Sequence, residues 1–428
     1  MAKHYVKRAQ QAIKSEMRSV STTVETLLES IESGGRDRVL ELAAQFDGFT
    51  GDPRIPADDL QRRASLAPSE ICRDIDAAHG RIQQFAQAQL ESIRDFEVEL
   101  EPGLIAGQRL VPVATAGCYI PGGRYAHIAS ALMSITTARV AGVPWVIACT
   151  PPREGTVDPV MAYAISKAGA DEVLTLGGVQ AIGAMAYGIL VRAPADLLVG
   201  PGNAYVAEAK RQLFGGVGID MFAGPTEILI IADHTADPAL IAEDLVSQAE
   251  HGPDSPAWLI TTDLELAAAV AAYVPPKIAA LPSPSCEAAT RAWDHCGEIV
   301  VVDTREEAVE AADGYAPEHL EVMTEDLSWW HDHLRNYGSL FLGPETTVSF
   351  GDKCTGPNHI LPTRGAARYT GGLSVHKFLK KLTYQRMSEA TASRLAPEGA
   401  RICRAEGMEA HARAIDARAR KSPDEESS

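Results

Sequence analysis

The chain has 428 residues, of which 46% are hydrophobic and 22% are charged, and its 39 basic and 57 acidic residues give a formal net charge of −18. This length exceeds one ordinary hydrophobic core and predicts two or more domains. Such an acidic balance argues against non-specific nucleic-acid binding, whose mark is a basic surface.

The amino terminus, from Met1 to Arg8, is polar and lacks the apolar run of a signal peptide. The longest apolar runs of the chain are too short to span a bilayer. The seven cysteines are odd in number and form no Cys-x-x-Cys pair, which is typical of reduced thiols. We therefore expect a cytoplasmic protein that does not enter a membrane.

Residues 1 to about 100 are predicted to be mostly helical. Val24, Leu27, Leu28 and Ile31 recur at helical spacing, the pattern resumes after Gly35, and residues 77–96 predict another amphipathic helix. From residue 111 onward, short apolar runs alternate with helical stretches, which predicts parallel sheets with crossover helices. The predicted strands lie at residues 111–113, 116–120, 146–149, 172–174, 197–199, 228–231, 257–261, 298–302 and 338–341.

The predicted fold is α/β, with two Rossmann-like parallel-sheet domains, N-terminal helices and a helical C-terminal segment. We expect the N-terminal helical segment and part of the first α/β unit at residues 1–110, and a Rossmann-like NAD-binding domain at 111–235. A second Rossmann-like domain is expected at 236–345 and the C-terminal segment at 346–428. The stretch after about residue 375 is predicted to be helical and basic. The polar tail from Lys421 is predicted to be disordered.

Glycine-containing turns occur at several predicted strand ends, and they are Pro121-Gly122-Gly123, Gly177-Gly178, Gly200-Pro201-Gly202-Asn203 and Ala223-Gly224-Pro225. Such turns let the backbone approach a ligand closely, and open α/β sheets bind ligands at the carboxyl ends of their strands. The phosphate-binding pattern Gly-x-Gly-x-x-Gly is absent from the chain. These turns are therefore compatible with a dinucleotide site and equally with ordinary βα connections.

Metal-type ligands and a Glu-His pair occur in short, widely separated motifs at Gln248, His251, Glu318-His319, Asp352 and His411. Taken singly, each has an ordinary interpretation: a surface histidine sharing a helix face with a glutamine, a helix start after a proline, a loop carboxylate, or a polar position on a helix. Taken together, imidazole, carboxylate and amide donors suit Zn²⁺, although other divalent metals accept the same ligands. A glutamate beside a histidine can tune it as a general base.

The motifs in chain order are Gly-Pro-Gly-Asn, Ala-Gly-Pro-Thr-Glu, Ser-Gln-Ala-Glu-His, Ala-Pro-Glu-His-Leu, Gly-Pro-Asn-His-x-Leu-Pro-Thr and Glu-Gly-Met-Glu-Ala-His-Ala. In this order they resemble the histidinol dehydrogenase family, and the similarity extends from the N-terminal helices to about residue 415. The resemblance implies Zn²⁺ and NAD⁺ as cofactors. It also implies a homodimer whose C-terminal regions intertwine, so that each active site is completed across the interface.

Carried over position by position, the resemblance implies specific roles. The implied zinc ligands are Gln248, His251, Asp352 and His411, and the implied acid/base pair is Glu318 and His319. Tyr119, Gln180 and Asn203 are implied to lie near NAD⁺, and Thr226, His359 and Glu406 match positions in the substrate pocket. Thr226 stands where the family more often has serine. Glu406 and His411 would be donated by the partner subunit.

The reaction that the resemblance implies is a two-step oxidation of a primary alcohol to a carboxylate, through an aldehyde, with two NAD⁺. Several segments depart from the biosynthetic histidinol dehydrogenases, namely Tyr125-Ala126-His127-Ile128-Ala129-Ser130, Trp329-Trp330, residues 351–354 and residues 371–378. They are more similar to the sulfopropanediol dehydrogenase branch, which oxidises 2,3-dihydroxypropane-1-sulfonate. A sulfonate needs cationic or N–H donors, and His127 is our candidate for that contact.

The leading hypothesis is therefore a zinc- and NAD-dependent dehydrogenase of a sulfonated diol. The first alternative is oxidation of L-histidinol in histidine biosynthesis, and the second is a non-catalytic binding paralogue. The sequence leaves open the choice between NAD⁺ and NADP⁺, the stereochemistry, the identity of the metal and whether the aldehyde is released.

Overall fold

The structure is a computed structural model that describes residues 4–10, 16–122, 127–221 and 224–419. The expected polar tail from Lys421, and Gly123 and Ala223 of the expected turns, lie outside the described residues. The strands are β1 (His4–Lys7), β2 (Arg54–Ile55), β3 (Phe96–Glu101), β4 (Leu104–Pro112), β5 (Thr115–Tyr119), β6 (Trp145–Thr150), β7 (Glu172–Thr175), β8 (Leu197–Val199), β9 (Gly218–Ile219), β10 (Ile228–Ala232), β11 (Ala257–Thr261), β12 (Glu298–Val301), β13 (His319–Met323), β14 (Ser339–Leu342) and β15 (Leu379–Met387).

The helices are α1 (Glu16–Leu42), α2 (Ala57–Ala64), α3 (Ser69–Glu91), α4 (Ile128–Val140), α5 (Pro159–Ala168), α6 (Gly178–Tyr187), α7 (Ala204–Leu213), α8 (Pro238–Ala249), α9 (Leu264–Ala279), α10 (Ser285–Cys296), α11 (Arg305–Tyr315), α12 (Leu327–His333), α13 (Val348–Lys353), α14 (Glu389–Ala405) and α15 (Glu409–Asp416). Helix α1 contains a break at Gly35, whose φ of 56° and ψ of −138° are not helical. This break explains why the apolar pattern resumes after Gly35. Among the described residues, no helix combines the length and the apolar character needed to cross a bilayer.

The chain divides into two compact units. The first consists of Met1–Leu90 and Val113–Phe378, and the second of Glu91–Pro112 and Leu379–Ser428. The first unit contains two six-stranded sheets, and the second contains a three-stranded sheet.

The first sheet of the larger unit has the strand order β2-β7-β6-β5-β8-β9. Strands β5 to β9 pair in parallel, and only the edge strand β2 is antiparallel to its neighbour. The chain passes from β5 outward to β7 and then returns to β8 on the other side of β5. The carboxyl edge at such a reversal is where open α/β sheets form ligand crevices.

The second sheet has the strand order β1-β12-β11-β10-β13-β14, again parallel except for its edge strand β1. Its strand order reverses between β10 and β13. Every residue of these two strands is buried, as expected for a parallel sheet covered by helices on both faces. Strand β10 is wholly apolar, whereas β13 includes His319 and Glu321, which places two titratable side chains inside the layer.

The second unit consists of the antiparallel sheet β15-β4-β3 and the helices α14 and α15, which pack against each other. Strand β15 pairs with β4 along its whole length, yet every residue of β15 after Leu379 is exposed. Apolar side chains are exposed on both outer strands of this sheet, namely Phe96, Val98, Leu100, Leu382, Tyr384 and Met387.

The α/β fold with two parallel sheets is confirmed, and the apolar runs from residue 116 onward are strands within a residue or two of their predicted bounds. The run at 111–113 is different, because it ends the antiparallel strand β4. The helix predicted at 77–96 ends at Glu91, and Phe96 begins β3 instead. The stretch after 375 was predicted to be helical, but after a single 3-10 turn at Val375–Phe378 it forms β15. Strand β15 is exposed after Leu379 and contains no apolar run.

Candidate active site

The candidate catalytic residues collect at the amino ends of β10 and β13, where the strand order of the second sheet reverses. Thr226 and Glu227 immediately precede β10, and His319 begins β13 opposite Ile228. Glu318 and His319 thus begin a strand, and the alternative of a helix start is wrong. Helix α8 returns antiparallel to β10, so its last turn brings Gln248 to the same edge. This edge is opposite to the one that open α/β sheets usually use.

The His319 ring is held in one tautomer. Its Nδ1 lies 2.9 Å from the backbone carbonyl oxygen of Glu227, and because a carbonyl only accepts, we assign the proton to Nδ1. The Nε2 atom is buried, has no hydrogen-bond partner among the described residues and lies 3.8 Å from Asp352 Oδ1. Burial lowers the pKa of His319. The ring therefore presents an unprotonated nitrogen to a cavity of about 250 Å³ that His319, Asp352 and His359 line.

The neighbouring carboxyl group, that of Glu318, is buried and hydrogen-bonded on one oxygen. Its Oε2 accepts from Thr226 Oγ1 at 2.6 Å and from the Glu227 amide at 2.9 Å, and it lies 3.5 Å from His319 Nδ1. Burial raises the pKa of Glu318 well above its ordinary value. Burial likewise raises the pKa of Glu227 to about 7. Both carboxyl groups thus hold a proton to higher pH than an exposed carboxyl group does, and Glu227 exchanges its proton near neutral pH.

A hydrogen-bond relay orients Gln248. Its Nε2 donates to Thr226 Oγ1 at 2.7 Å, and Thr226 donates onward to Glu318. The side chain is buried on α8, and with the NH₂ group used in this way its Oε1 remains available as an acceptor or a metal ligand. Thr226 is thus hydrogen-bonded to Glu318 of the implied acid/base pair and to the implied metal ligand Gln248. Its role in the substrate pocket stays a prediction.

Asp352 lies in helix α13, and the alternative of a loop carboxylate is wrong. Burial would raise the pKa of Asp352, but His359, His319, Lys353 and His251 outweigh it and hold the pKa below its usual range. Its Oδ1 is 3.8 Å from His359 Nδ1, and its Oδ2 is 3.7 Å from Lys353 Nζ. One carboxylate is thus surrounded by imidazole rings and an ammonium group.

His359 and His251, to which the resemblance also assigns roles, are held differently near the Asp352 carboxylate. His359 is fixed on both ring nitrogens, with Nδ1 3.1 Å from the Asp352 carbonyl and Nε2 2.9 Å from Ser130 Oγ. His251 lies in the turn after α8, just beyond the helix face that it was expected to share with Gln248. It keeps contact with solvent, although desolvation by its neighbours lowers the pKa of His251.

The donor set of the first unit fits a borderline divalent metal. Gln248 offers an oriented amide oxygen, Asp352 an ionised carboxylate, and His251 an imidazole whose lowered pKa keeps it unprotonated. Within the described ranges, no group of three His, Cys, Asp or Glu side chains is arranged to hold a metal ion.

The other implied residues of the metal and substrate sites are His411 and Glu406, and both belong to the second unit. His411 lies on α15 and Glu406 follows the last residue of α14, and the structure leaves both side chains exposed.

The three candidate cofactor residues lie near the carboxyl edge of the first sheet. Tyr119 ends β5, and its hydroxyl accepts from the Gly178 amide at the start of α6. Gln180 is buried on α6 and donates to Asp47 Oδ2 at 2.9 Å. Asn203 is exposed and caps α7 by accepting from Tyr205 N and Val206 N. The amino ends of two helices therefore face this edge, an arrangement that favours anions such as a pyrophosphate.

The Gly200 turn brings the backbone of this edge unusually close together. Gly200 has a φ of 116°, and a Cβ added there would lie 1.9 Å from the Tyr119 carbonyl oxygen. Only glycine fits this approach. Asp47, which also accepts from the Gly177 amide, was not expected from the sequence because it lies in the N-terminal helical region, far from any predicted strand end.

His127 immediately precedes α4 and is half-buried. Burial, together with smaller effects of the positive charges of His359, Lys353 and His251, lowers the pKa of His127 to about 4. The residue therefore lies near the candidate site as a neutral imidazole. Tyr125 and Ala126, which precede it in the unusual segment, lie outside the described residues.

Sequence reasoning also missed Glu227 and Ser130. Glu227 belongs to the Ala-Gly-Pro-Thr-Glu motif. The feature that could have identified it is its position, because it is a carboxylate directly before the apolar run at 228–231. Ser130 lies within a wholly buried stretch of α4, where a hydroxyl needs a partner. No local pattern identifies that partner as His359.

The chain is similar to known proteins over nearly its whole length. The histidinol dehydrogenase family model matches residues 10–419. A histidinol dehydrogenase homolog from Ruegeria pomeroyi is 55% identical over 399 residues, covering 93% of this chain and 92% of the relative. The sulfopropanediol 3-dehydrogenase of the same organism is 50% identical over 427 residues, covering 99% and 98%. The crystal structure of histidinol dehydrogenase from Elizabethkingia anophelis superposes with a TM-score of 0.87 at 33% identity, covering 97% and 99% of the two chains.

Proposed function

The chain belongs to the histidinol dehydrogenase family, an oxidoreductase family, and from this premise we propose that it is a zinc- and NAD⁺-dependent dehydrogenase of a sulfonated diol. The proposed reaction converts 2,3-dihydroxypropane-1-sulfonate to 3-sulfolactate. The observation that carries the catalytic part of the proposal is the His319 ring, with Nδ1 fixed on the Glu227 carbonyl and Nε2 facing the cavity that Asp352 also lines.

The reaction oxidises a hydroxymethyl group to a carboxylate in two hydride transfers. One alcohol, one water and two NAD⁺ give one carboxylate, two NADH and three protons. In the first step His319 Nε2 takes the hydroxyl proton while the carbon hydride passes to NAD⁺. In the second step Glu318 or His319 takes a proton from the water that adds to the aldehyde. The Nδ1 hydrogen bond to Glu227 keeps the His319 ring oriented throughout.

A bound zinc ion would supply Lewis-acid polarisation of the substrate oxygen and a fixed template. Gln248, His251 and Asp352 would hold it, together with His411. The carboxyl edge of the first sheet supports the NAD⁺ part of the proposal, because Tyr119, Gln180 and Asn203 lie near it and the amino ends of α6 and α7 face it.

The sulfonate branch is supported by the similarity to the Ruegeria pomeroyi sulfopropanediol 3-dehydrogenase over nearly the whole of both chains. It is also supported by the basic groups around the pocket. Lys353 keeps an exposed ammonium group beside Asp352, and His127 adds an N–H donor. A sulfonate accepts such bonds through three oxygens.

L-Histidinol remains the second candidate substrate, and one observation favours it. His127 is held neutral by its surroundings, so it contributes a hydrogen bond but no charge toward a sulfonate. The imidazole group of L-histidinol is uncharged in its neutral form and needs no cation at the position of His127. A non-catalytic binding role is disfavoured, because it gives no account of the orientation of His319 and Gln248.

The oligomer is part of the proposal. The exposed apolar side chains on β3 and β15 form a surface that supports a homodimer. In that dimer Glu406 and His411 of each chain complete the site of the partner. We also propose a cytoplasmic location, since the seven cysteines are all free thiols.

The test of substrate is a comparison of kcat/KM for NADH formation by the zinc-loaded protein with 2,3-dihydroxypropane-1-sulfonate and with L-histidinol. We expect a preference for the sulfonate of at least about 10²-fold, because a pocket built for one anionic group leaves its donors unpaired with the other substrate. A preference for L-histidinol would instead support a role in histidine biosynthesis. No turnover of either would contradict the proposed activity.

A further inference from the structure

Two carboxyl groups that the reaction does not use lie side by side behind the candidate active site. Asp244 is on α8 and Glu321 is on β13, and both are buried. The two side chains lie within hydrogen-bonding reach of each other. Two carboxyl groups can form a hydrogen bond only if one of them carries a proton.

The surrounding donors leave one oxygen of the pair without a hydrogen bond. Thr347 Oγ1 donates to Asp244 Oδ1 at 2.9 Å, and the Val348 amide donates to Glu321 Oε1 at 2.8 Å. The other oxygen, Glu321 Oε2, is buried and receives no donor from the described residues. A buried carboxylate oxygen without a donor is costly, and a proton shared with Asp244 satisfies it.

The pair joins the three elements that carry the candidate site. Asp244 lies one helical turn before Gln248 on α8. Glu321 follows His319 on the same face of β13, because side chains alternate along a strand. Thr347 caps α13, and Val348 lies one turn before Asp352 on that helix. Each bond of the pair therefore fixes one element relative to another.

We propose that Asp244 and Glu321 share one proton and that this carboxyl pair positions Gln248, Asp352 and His319 relative to one another. The two are positioning residues, since neither lines the cavity of the site. The inference rests on the proposed function, in which these three residues bind the metal and remove the proton.

The Asp244–Glu321 pair loses its shared proton when the pH rises and keeps it when the pH falls. Burial raises the pKa of Asp244, and burial together with Asp244 raises the pKa of Glu321 to about 8. The one further charge acting on the pair within the described residues is Glu243 of α8, which is paired with Lys277 of α9. The neighbouring strands present Ile230 of β10 and Phe341 of β14. The shared proton is thus present at neutral pH and is lost as the pH rises through about 8.

The test is the zinc dissociation constant, measured by competition with a chromophoric chelator at pH 6.5 and pH 9.5. The wild-type protein is compared with Glu321→Gln, Glu321→Ala and the control Glu243→Gln, whose carboxylate is mostly exposed. Glu321→Gln keeps a permanent donor toward Asp244. We expect it to bind zinc as the wild type does at pH 6.5 and about tenfold more tightly than the wild type at pH 9.5.

Glu321→Ala removes the link, and we expect zinc binding about 10–100-fold weaker at both pH values, as is typical when the partner of a metal ligand is lost. Glu243→Gln should follow the wild type. If Glu321→Ala does not fold, the proposal is tested by the ratio of the zinc dissociation constants of wild type and Glu321→Gln. A ratio that does not change with pH overturns the proposal. A wild-type protein that binds no zinc contradicts the proposed metal function itself, which is a different outcome.

Discussion

The imidazole of His319 and the carboxylate of Asp352 face each other with 3.8 Å between Nε2 and Oδ1, too far for a direct hydrogen bond. The other ring nitrogen is already bound to the Glu227 carbonyl at 2.9 Å. A buried imidazole with one nitrogen satisfied and the other open toward a carboxylate is a suitable acceptor for a substrate proton.

Replacing His319 by asparagine should lower kcat by about 10²–10⁴-fold, because the variant retains bulk and polarity but has no base at this position. Zinc content should be unchanged, since His319 is not an implied ligand. NADH formation and metal analysis of the same preparation measure both quantities. His295→Asn, at an exposed position on α10, is the matched control. Turnover equal to wild type would rule out His319 as the base.

Replacing His251 by alanine should reduce zinc well below one per subunit, because the implied site would lose one of its two imidazole ligands. Metal analysis after dialysis against a weak chelator measures this. His295→Ala serves as the control and should retain wild-type zinc. Full zinc in His251→Ala would show that the implied ligand set is wrong.

If each active site contains residues of both subunits, two inactive variants should restore activity to each other in a mixed dimer. His319→Asn and His411→Ala chains should each be inactive alone. If His411 is donated by the partner, a mixed dimer contains one intact site and one doubly altered site, so random pairing of equal amounts should restore roughly a quarter of the wild-type sites.

The complementation is measured as NADH formation after coexpression or joint refolding of the two chains. The control pairs His319→Asn with His251→Ala, both from the first unit, and should restore nothing. Absence of recovery in the first mixture would mean that His411 acts within its own chain or not at all.

Glu227 should make folding stability depend on pH. Its folded-state pKa of about 7 exceeds the ordinary value of 4.5, so its contribution is fully present below about pH 4.5 and is lost as the pH rises through about 7. The loss is on the order of 3 kcal/mol at most. Glu227→Gln keeps the acceptor for the Glu318 and Arg364 amides and cannot ionise.

Urea unfolding at pH 5.0 and pH 8.5 measures the free energy of unfolding of both proteins. We expect the stability of wild type to fall relative to Glu227→Gln between these two pH values. An equal change in both proteins would mean that Glu227 is ionised throughout.

His127 should affect the binding of the sulfonate more than the chemistry. His127→Ala should raise KM for 2,3-dihydroxypropane-1-sulfonate about tenfold and leave kcat within about threefold, as expected for loss of one hydrogen bond to a charged group. Steady-state kinetics measure both constants. His376→Ala, which removes a ring bound to the Gln89 carbonyl, is the control. An unchanged KM would remove His127 from the substrate site.

Much of the fold could be predicted from the sequence, because strands of a covered parallel sheet are continuous apolar runs. Strand β10 is such a run. Strand β13 was missed because His319 and Glu321 interrupt its apolar pattern, and these are the residues to which we assign functional roles. A local sequence pattern predicts the fold poorly where the function requires polar side chains inside a buried strand.

The candidate site could be predicted only in part. The resemblance identified Thr226 and Glu318, but the 2.6 Å hydrogen bond between them joins residues 92 positions apart, and no local spacing predicts it. The same holds for Asp244 and Glu321, which lie in ordinary helical and strand contexts. Their pairing follows from the crossover that places α8 beside β13.

The central claim is a four-electron oxidation of the sulfonated diol, and the most direct test is the yield of NADH per molecule of 2,3-dihydroxypropane-1-sulfonate consumed by the zinc-loaded protein. We predict two NADH and one 3-sulfolactate for each diol, with no free aldehyde captured by an added trapping amine. One NADH per diol, with the aldehyde accumulating, would contradict the account, because His319 and Glu318 would then serve only the first oxidation.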